Sequence, residues 1–180
     1  RLMKPINALF SATLALLLTG CWTSEAPLMP DEVMDTPSLS GTYSRFEGEV
    51  FTGDRYVVSL DGNELAVEHS EFGNAAKPAY FITFDALVDD LYLAQVVNAN
   101  GKMEAYRLFR INDDGNEAFE MDFDCGDPET ALPGVESDGT DCQFSNYDSL
   151  KKAALARANE FSEQSKGAVI VSRFERILLD

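Results

Sequence analysis

The chain has 180 residues, of which 45% are hydrophobic, and its 31 Asp and Glu against 14 Lys and Arg give a formal charge of −17. That length carries one modest core. So acidic a chain repels a polyanion, which excludes nucleic acid as a general partner and points to neutral or cationic ones.

Arg1 and Lys4 precede an apolar run from Ile6 to Leu18, the order of charge and apolar residues found in a secretory signal. The run is too short for an ordinary membrane-spanning helix. It closes in Leu18-Thr19-Gly20-Cys21, which resembles the lipobox of bacterial lipoproteins. The resemblance implies a signal peptide over residues 1–20, removed on export, and an acylated Cys21 whose lipid, palmitate included, makes the membrane a partner. Trp22 stands where an aspartate would favour inner-membrane retention, so the resemblance implies an outer-membrane anchor with the domain facing the periplasm.

Residues 21–39 hold Pro27, Pro30 and Pro37 among Ser, Thr, Asp and Glu, and read as the lipidated cysteine followed by a flexible tether. An ordered loop laid over the domain is the other reading. Residues 40–180 are then a single β-rich soluble domain.

Within that domain Tyr56, Val58 and Leu60 alternate up to Asp61-Gly62-Asn63, and Leu65 and Val67 resume beyond it, the pattern of a hairpin. Apolar runs follow at Tyr80 to Phe84, Leu91 to Val97 and Met103 to Ile111, the last two separated by Asn98-Ala99-Asn100-Gly101. Phe119, Met121 and Phe123 alternate with Glu120 and Asp122, which predicts one face toward the core and the other toward water. Leu150, Ala154, Ala158 and Phe161 share one helical face, with Asp148 or Ser149 as the cap, before Ala168 to Val171 opens a closing strand. The fold class is mainly β: an antiparallel meander or small barrel of about eight strands with one C-terminal α-helix before the last strand. In strand number and in that helix it is similar to lipocalin-like barrels, with no lipocalin sequence signature. A sheet covered by a helix is the alternative.

With Cys21 assigned to lipid, Cys125 and Cys142 remain as an even pair, expected to form a disulfide in an oxidising compartment. Between Asp113 and Asp148 twelve carboxylates run without a Lys or Arg. Among them Asp122, Asp124, Asp127 and Glu129 offer the oxygen ligands calcium favours, although their spacing is not that of an EF-hand and a hydrated acidic face accounts for the same composition. The single histidine, His69, lies beside Glu68 and reads as a surface residue. No nucleophile elbow, P-loop or Rossmann fingerprint is present, so no catalytic residue is named and enzyme activity is left open.

The expectation for function is a membrane-anchored periplasmic lipoprotein with a noncatalytic interaction or structural role, its acidic face meeting a basic envelope protein. The alternative is a barrel that binds a small hydrophobic ligand. A carboxylate-dependent hydrolase is the third reading.

Overall fold

The computed structural model describes residues 22–121, 133–137, 141–163 and 170–178. Eleven strands and one α-helix lie among them. In chain order they are β1 (Trp22–Thr23), β2 (Gly41–Glu47), β3 (Val50–Asp61), β4 (Glu64–Glu71), β5 (Lys77–Val88), β6 (Leu91–Asn98), β7 (Met103–Ile111), β8 (Glu117–Met121), β9 (Val135–Ser137), β10 (Cys142–Phe144), α1 (Tyr147–Glu163) and β11 (Ile170–Arg176).

Eight of these strands close a barrel in the order β11-β2-β3-β4-β5-β6-β7-β8, and every neighbouring pair is antiparallel. The eight-stranded expectation, with a helix ahead of the last strand, matches this architecture. Closure removes the sheet edges that an open meander would leave unpaired.

The barrel is buried on two sides. Leu65, Phe84, Ala94 and Ala118 pack inside it with Tyr43 and Ile111. The outer wall of β6 and β7 presents Leu91, Leu93, Tyr106 and Leu108 to a second core formed with Trp22, Met29, Phe144 and the helix residues Leu150, Ala154 and Ala158. The three helix residues are 0% exposed, and Phe161 packs at the edge of the same core, so the 3.6-residue spacing identified the buried face of α1. Its start is capped by Asn146, whose Oδ1 accepts the Ser149 N–H at 2.9 Å; the cap expected at Asp148 or Ser149 lies earlier, where a side-chain oxygen can reach back over the first turn.

The tether expectation is corrected. Trp22 is 2% exposed and its ring lies 5.0 Å from that of Phe144, while β1 runs parallel to β10 in a three-stranded sheet with β9. Leu28 and Met29 donate their backbone N–H groups to Gln95 Oε1 at 2.8 and 3.0 Å. Residues 22–39 form a strap over the barrel, as in the other reading, because their few apolar residues have a ready-made apolar wall to cover. The folded unit therefore begins at or before residue 22. A lipid-anchored domain held away from a membrane on a free spacer is not what the described residues show, and none of their helices is long and apolar enough to cross a membrane. The leader with Cys21 lies outside the described residues.

The disulfide expectation is also corrected. Cys142 is a disulfide-bonded cysteine, but no complete bridge is found among the described residues, since Cys21 and Cys125 both lie outside them. Trp22 is in register with Cys142, so the arithmetic that set Cys21 aside for lipid no longer singles out Cys125 as the partner. The pairing of Cys125 with Cys142 is withdrawn.

Candidate functional site

Period-2 alternation carries one residue in two of each barrel strand inward. Register then stacks them: Val58 lies opposite Val67, Val67 opposite Tyr80, Leu65 opposite Ile82, Ile82 opposite Val96 and Val96 opposite Ala105. Between these rows the barrel holds a cavity of about 190 Å³.

One end is shut. Tyr43 donates its hydroxyl to the Gly115 carbonyl at 2.7 Å, and the Phe84 ring meets Tyr92 and Phe109 edge-on, each at 6.1 Å. The strap crosses this end: Asp35 N–H donates to the Phe84 carbonyl at 2.8 Å and Thr36 Oγ1 to that of Asn63 at 2.7 Å, and Leu39 lines the cavity floor. Gly115 sits at φ +65° against the Ser38 carbonyl, which a Cβ would overlap. Only glycine allows that close approach.

Toward the other end, where the β2–β3, β4–β5 and β6–β7 turns gather, the lining becomes polar: Arg45, Tyr56, Tyr80, Glu104, Arg107 and Glu120. Arg107 Nε lies 3.2 Å from Glu120 Oε1, with side chains 7% and 16% exposed. Arg45 reaches Glu47 at 2.9 Å, Asp54 at 3.5 Å and Ser172 Oγ at 3.0 Å. Glu104 accepts from Asn98 Nδ2 at 2.6 Å. Burial, and then the Asp54 carboxylate, holds the Tyr56 hydroxyl well above the ordinary phenol range. Burial and then Glu104 raise Tyr80 in the same direction. Both remain O–H donors at any physiological pH.

No protein-family model, curated protein or solved structure matches this chain. The chemistry of the site rests on its own residues.

Just beyond the cavity wall, His69 Nε2 lies 2.9 Å from Asp54 Oδ1 and the imidazole stacks on Tyr56 with ring centroids 4.9 Å apart. Far from being a simple surface residue, His69 is three-quarters or more covered, its side chain 21% exposed. Asp54, His69 and Glu71 bring ligand atoms within 4.8 Å of one another. A cation there would take the place of the His69–Asp54 hydrogen bond and sit beside the Arg45 guanidinium; as it stands His69 and Asp54 are hydrogen-bonded to each other. The calcium residues named from sequence, Asp122, Asp124, Asp127 and Glu129, lie outside the described residues.

Glu120 belongs to the same acidic run and was expected on the wet face of its strand. The structure inverts that strand. Phe119 and Met121 pack toward the outer core while Glu120 lines the cavity. Arg107 was missed by sequence reasoning, since it lies between Tyr106 and Leu108 in a strand covered on both faces. An arginine set directly between two apolar-flanked positions, Tyr106 and Leu108, was the available signal.

Proposed function

We propose that this chain is a barrel-type binding protein for a small hydrophobic ligand. The observation that carries the reading is the cavity of about 190 Å³ inside a closed barrel, apolar over its shut end and polar at the other. A pocket with an apolar body and a few convergent polar groups is the usual form of a small-molecule site. Its size sets the scale of the ligand: an engineered apolar cavity of about 150 Å³ accepts benzene. The fit is to one ring or a short chain, not to a long lipid. The interaction or structural role has an acidic surface in its favour but no shaped feature among the described residues, and the cavity is the more specific of the two.

The test is thermal unfolding with and without toluene or indole, alongside Val67→Phe. Val67 is 5% exposed and lines the cavity, so a phenyl group there occupies the space. A ligand at about 100 times its Kd adds about 2.7 kcal/mol, and the wild type should melt several degrees higher with ligand while the filled variant does not respond. No shift for any such molecule in the wild type would overturn the reading.

A further inference from the structure

We propose that the cavity selects a neutral amphiphile of single-ring size, whose one hydrogen-bond-accepting group is taken up by the Tyr56 and Tyr80 hydroxyls, over its carboxylate and ammonium analogues. The inference rests on the binding reading above and adds the chemical class of the ligand.

Three features converge on it. The cations of the cavity wall are already answered, Arg107 by Glu120 and Arg45 by Asp54 and Glu47, while Glu104 accepts from the neutral Asn98 amide. A ligand carboxylate would find its cations neutralised and would face Glu104 and Glu120. A ligand ammonium would face Arg45 and Arg107. Either ion leaves water for a wall that carries both signs of charge, so each meets a like charge as well as an opposite one and desolvation is poorly offset.

The hydroxyls of Tyr56 and Tyr80 are different. Both residues line the cavity, and among the described residues neither hydroxyl has a hydrogen-bond partner. Val67 carries them together: its strand neighbour Val58 is two residues from Tyr56, and Tyr80 is its own partner across β4–β5. The Tyr80 hydroxyl acts on Tyr56, and the Asp54 carboxylate acts on both. Each is a donor at the cavity wall with no protein acceptor among the described residues, and an amide, ketone or ether oxygen takes that bond without bringing a charge.

Polarity along the barrel gives the orientation. Tyr43, Phe84 and Phe109 close the far end, so the apolar ring enters first and the accepting group stays level with the two hydroxyls. That order matches the geometry of an amphiphile and not of a molecule polar at both ends.

The experiment is calorimetric titration of the full chain at pH 7 with toluene, benzamide, benzoate and benzylamine, one ring in four charge states or polarities. Benzamide should bind about tenfold or more tighter than benzoate and benzylammonium. Tyr56→Phe and Tyr80→Phe should remove the advantage of benzamide over toluene and leave toluene binding in place, since each variant keeps its ring. Benzoate or benzylammonium binding the wild type as tightly as benzamide overturns the selectivity while the binding function survives. Failure of all four probes, toluene included, overturns the binding reading and the inference with it. Wild-type selectivity decides the matter even if a variant does not fold.

Discussion

Gln95 Oε1 accepts the backbone N–H of Leu28 at 2.8 Å, so a side chain on the outer wall of β6 holds a segment 67 positions earlier in the chain. The same oxygen takes the Met29 N–H at 3.0 Å, and Gln95 Nε2 donates to Thr83 Oγ1 at 3.2 Å. Tyr106 adds a contact between its hydroxyl and Ser24 Oγ at 2.8 Å. The strap is fastened by polar groups that are themselves buried.

Gln95→Leu keeps the volume and removes the acceptor, leaving the Met29 N–H unpaired and the Leu28 N–H with only its longer bond to the Tyr106 hydroxyl at 3.2 Å. It should destabilise the fold by about 1–3 kcal/mol. Amide hydrogen exchange at Leu28 and Met29 should accelerate well before exchange at Leu93 or Leu108. Equal protection at both places would show that the strap does not open separately.

Trp22→Ala removes the largest fully buried side chain of the outer core. The expected loss is about 3–5 kcal/mol, as for other buried tryptophans. Chemical denaturation with its midpoint and slope measures it. A true tether would lose nothing measurable.

Lys151→Met tests how α1 is held. Lys151 Nζ pairs with Asp85 Oδ2, whose side chain is 6% exposed, and Tyr147 donates its hydroxyl to the same oxygen. Removing the cation leaves a buried carboxylate with one donor, a cost of about 1–3 kcal/mol after allowing for the partial exposure of the lysine. Thermal melts at neutral pH should register it, with little dependence on salt.

Alkaline solution should unfold the protein more readily than this acidic composition suggests. Burial, and then the bond to Asp85, raises the Tyr147 phenol above its ordinary 10.0, and burial raises Tyr56 and Tyr106 as well. In the unfolded chain these groups ionise near pH 10, in the folded chain later, so the folded state binds more protons between the two values. Stability is complete below about pH 10 and falls as the pH climbs toward the folded-state value. Denaturant midpoints at pH 8, 10 and 11 should decline, less steeply in Tyr147→Phe.

Gly115→Ala should loosen the shut end of the barrel. The residue sits at φ +65° and its Cβ would overlap the Ser38 carbonyl, so the substitution brings both backbone strain and displacement of the strap. A loss exceeding about 1 kcal/mol is expected. Toluene bound in the cavity should then exchange faster, measured by ligand-observed NMR.

Much of the secondary structure was legible because it depends on local periodicity. Tyr56 and Val58 alternate with the exposed Arg55, Val57 and Ser59 because β3 has one wet face, while Leu60, at the strand end, is exposed. The α1 pattern at Leu150, Ala154 and Ala158 reads equally plainly. In β6 and β7 alternation fails, since Leu93, Ala94, Tyr106 and Arg107 are all buried, alternately inside the barrel and under the strap and helix. A strand covered on both faces has no hydrophobic period with which to announce which face holds the site.

The amino-acid sequence by itself determined the acidic character, the strand-rich class and the helix ahead of the last strand, because each depends on composition or on residues a few positions apart. Only the tertiary structure decided that residues 22–39 are a strap, that Glu120 turns inward to meet Arg107, and that Tyr56 and Tyr80 share a cavity. Those outcomes depend on barrel closure and on register between distant strands. A cavity is what remains when inward side chains from eight strands fail to fill their ring, and no local stretch of sequence contains that difference.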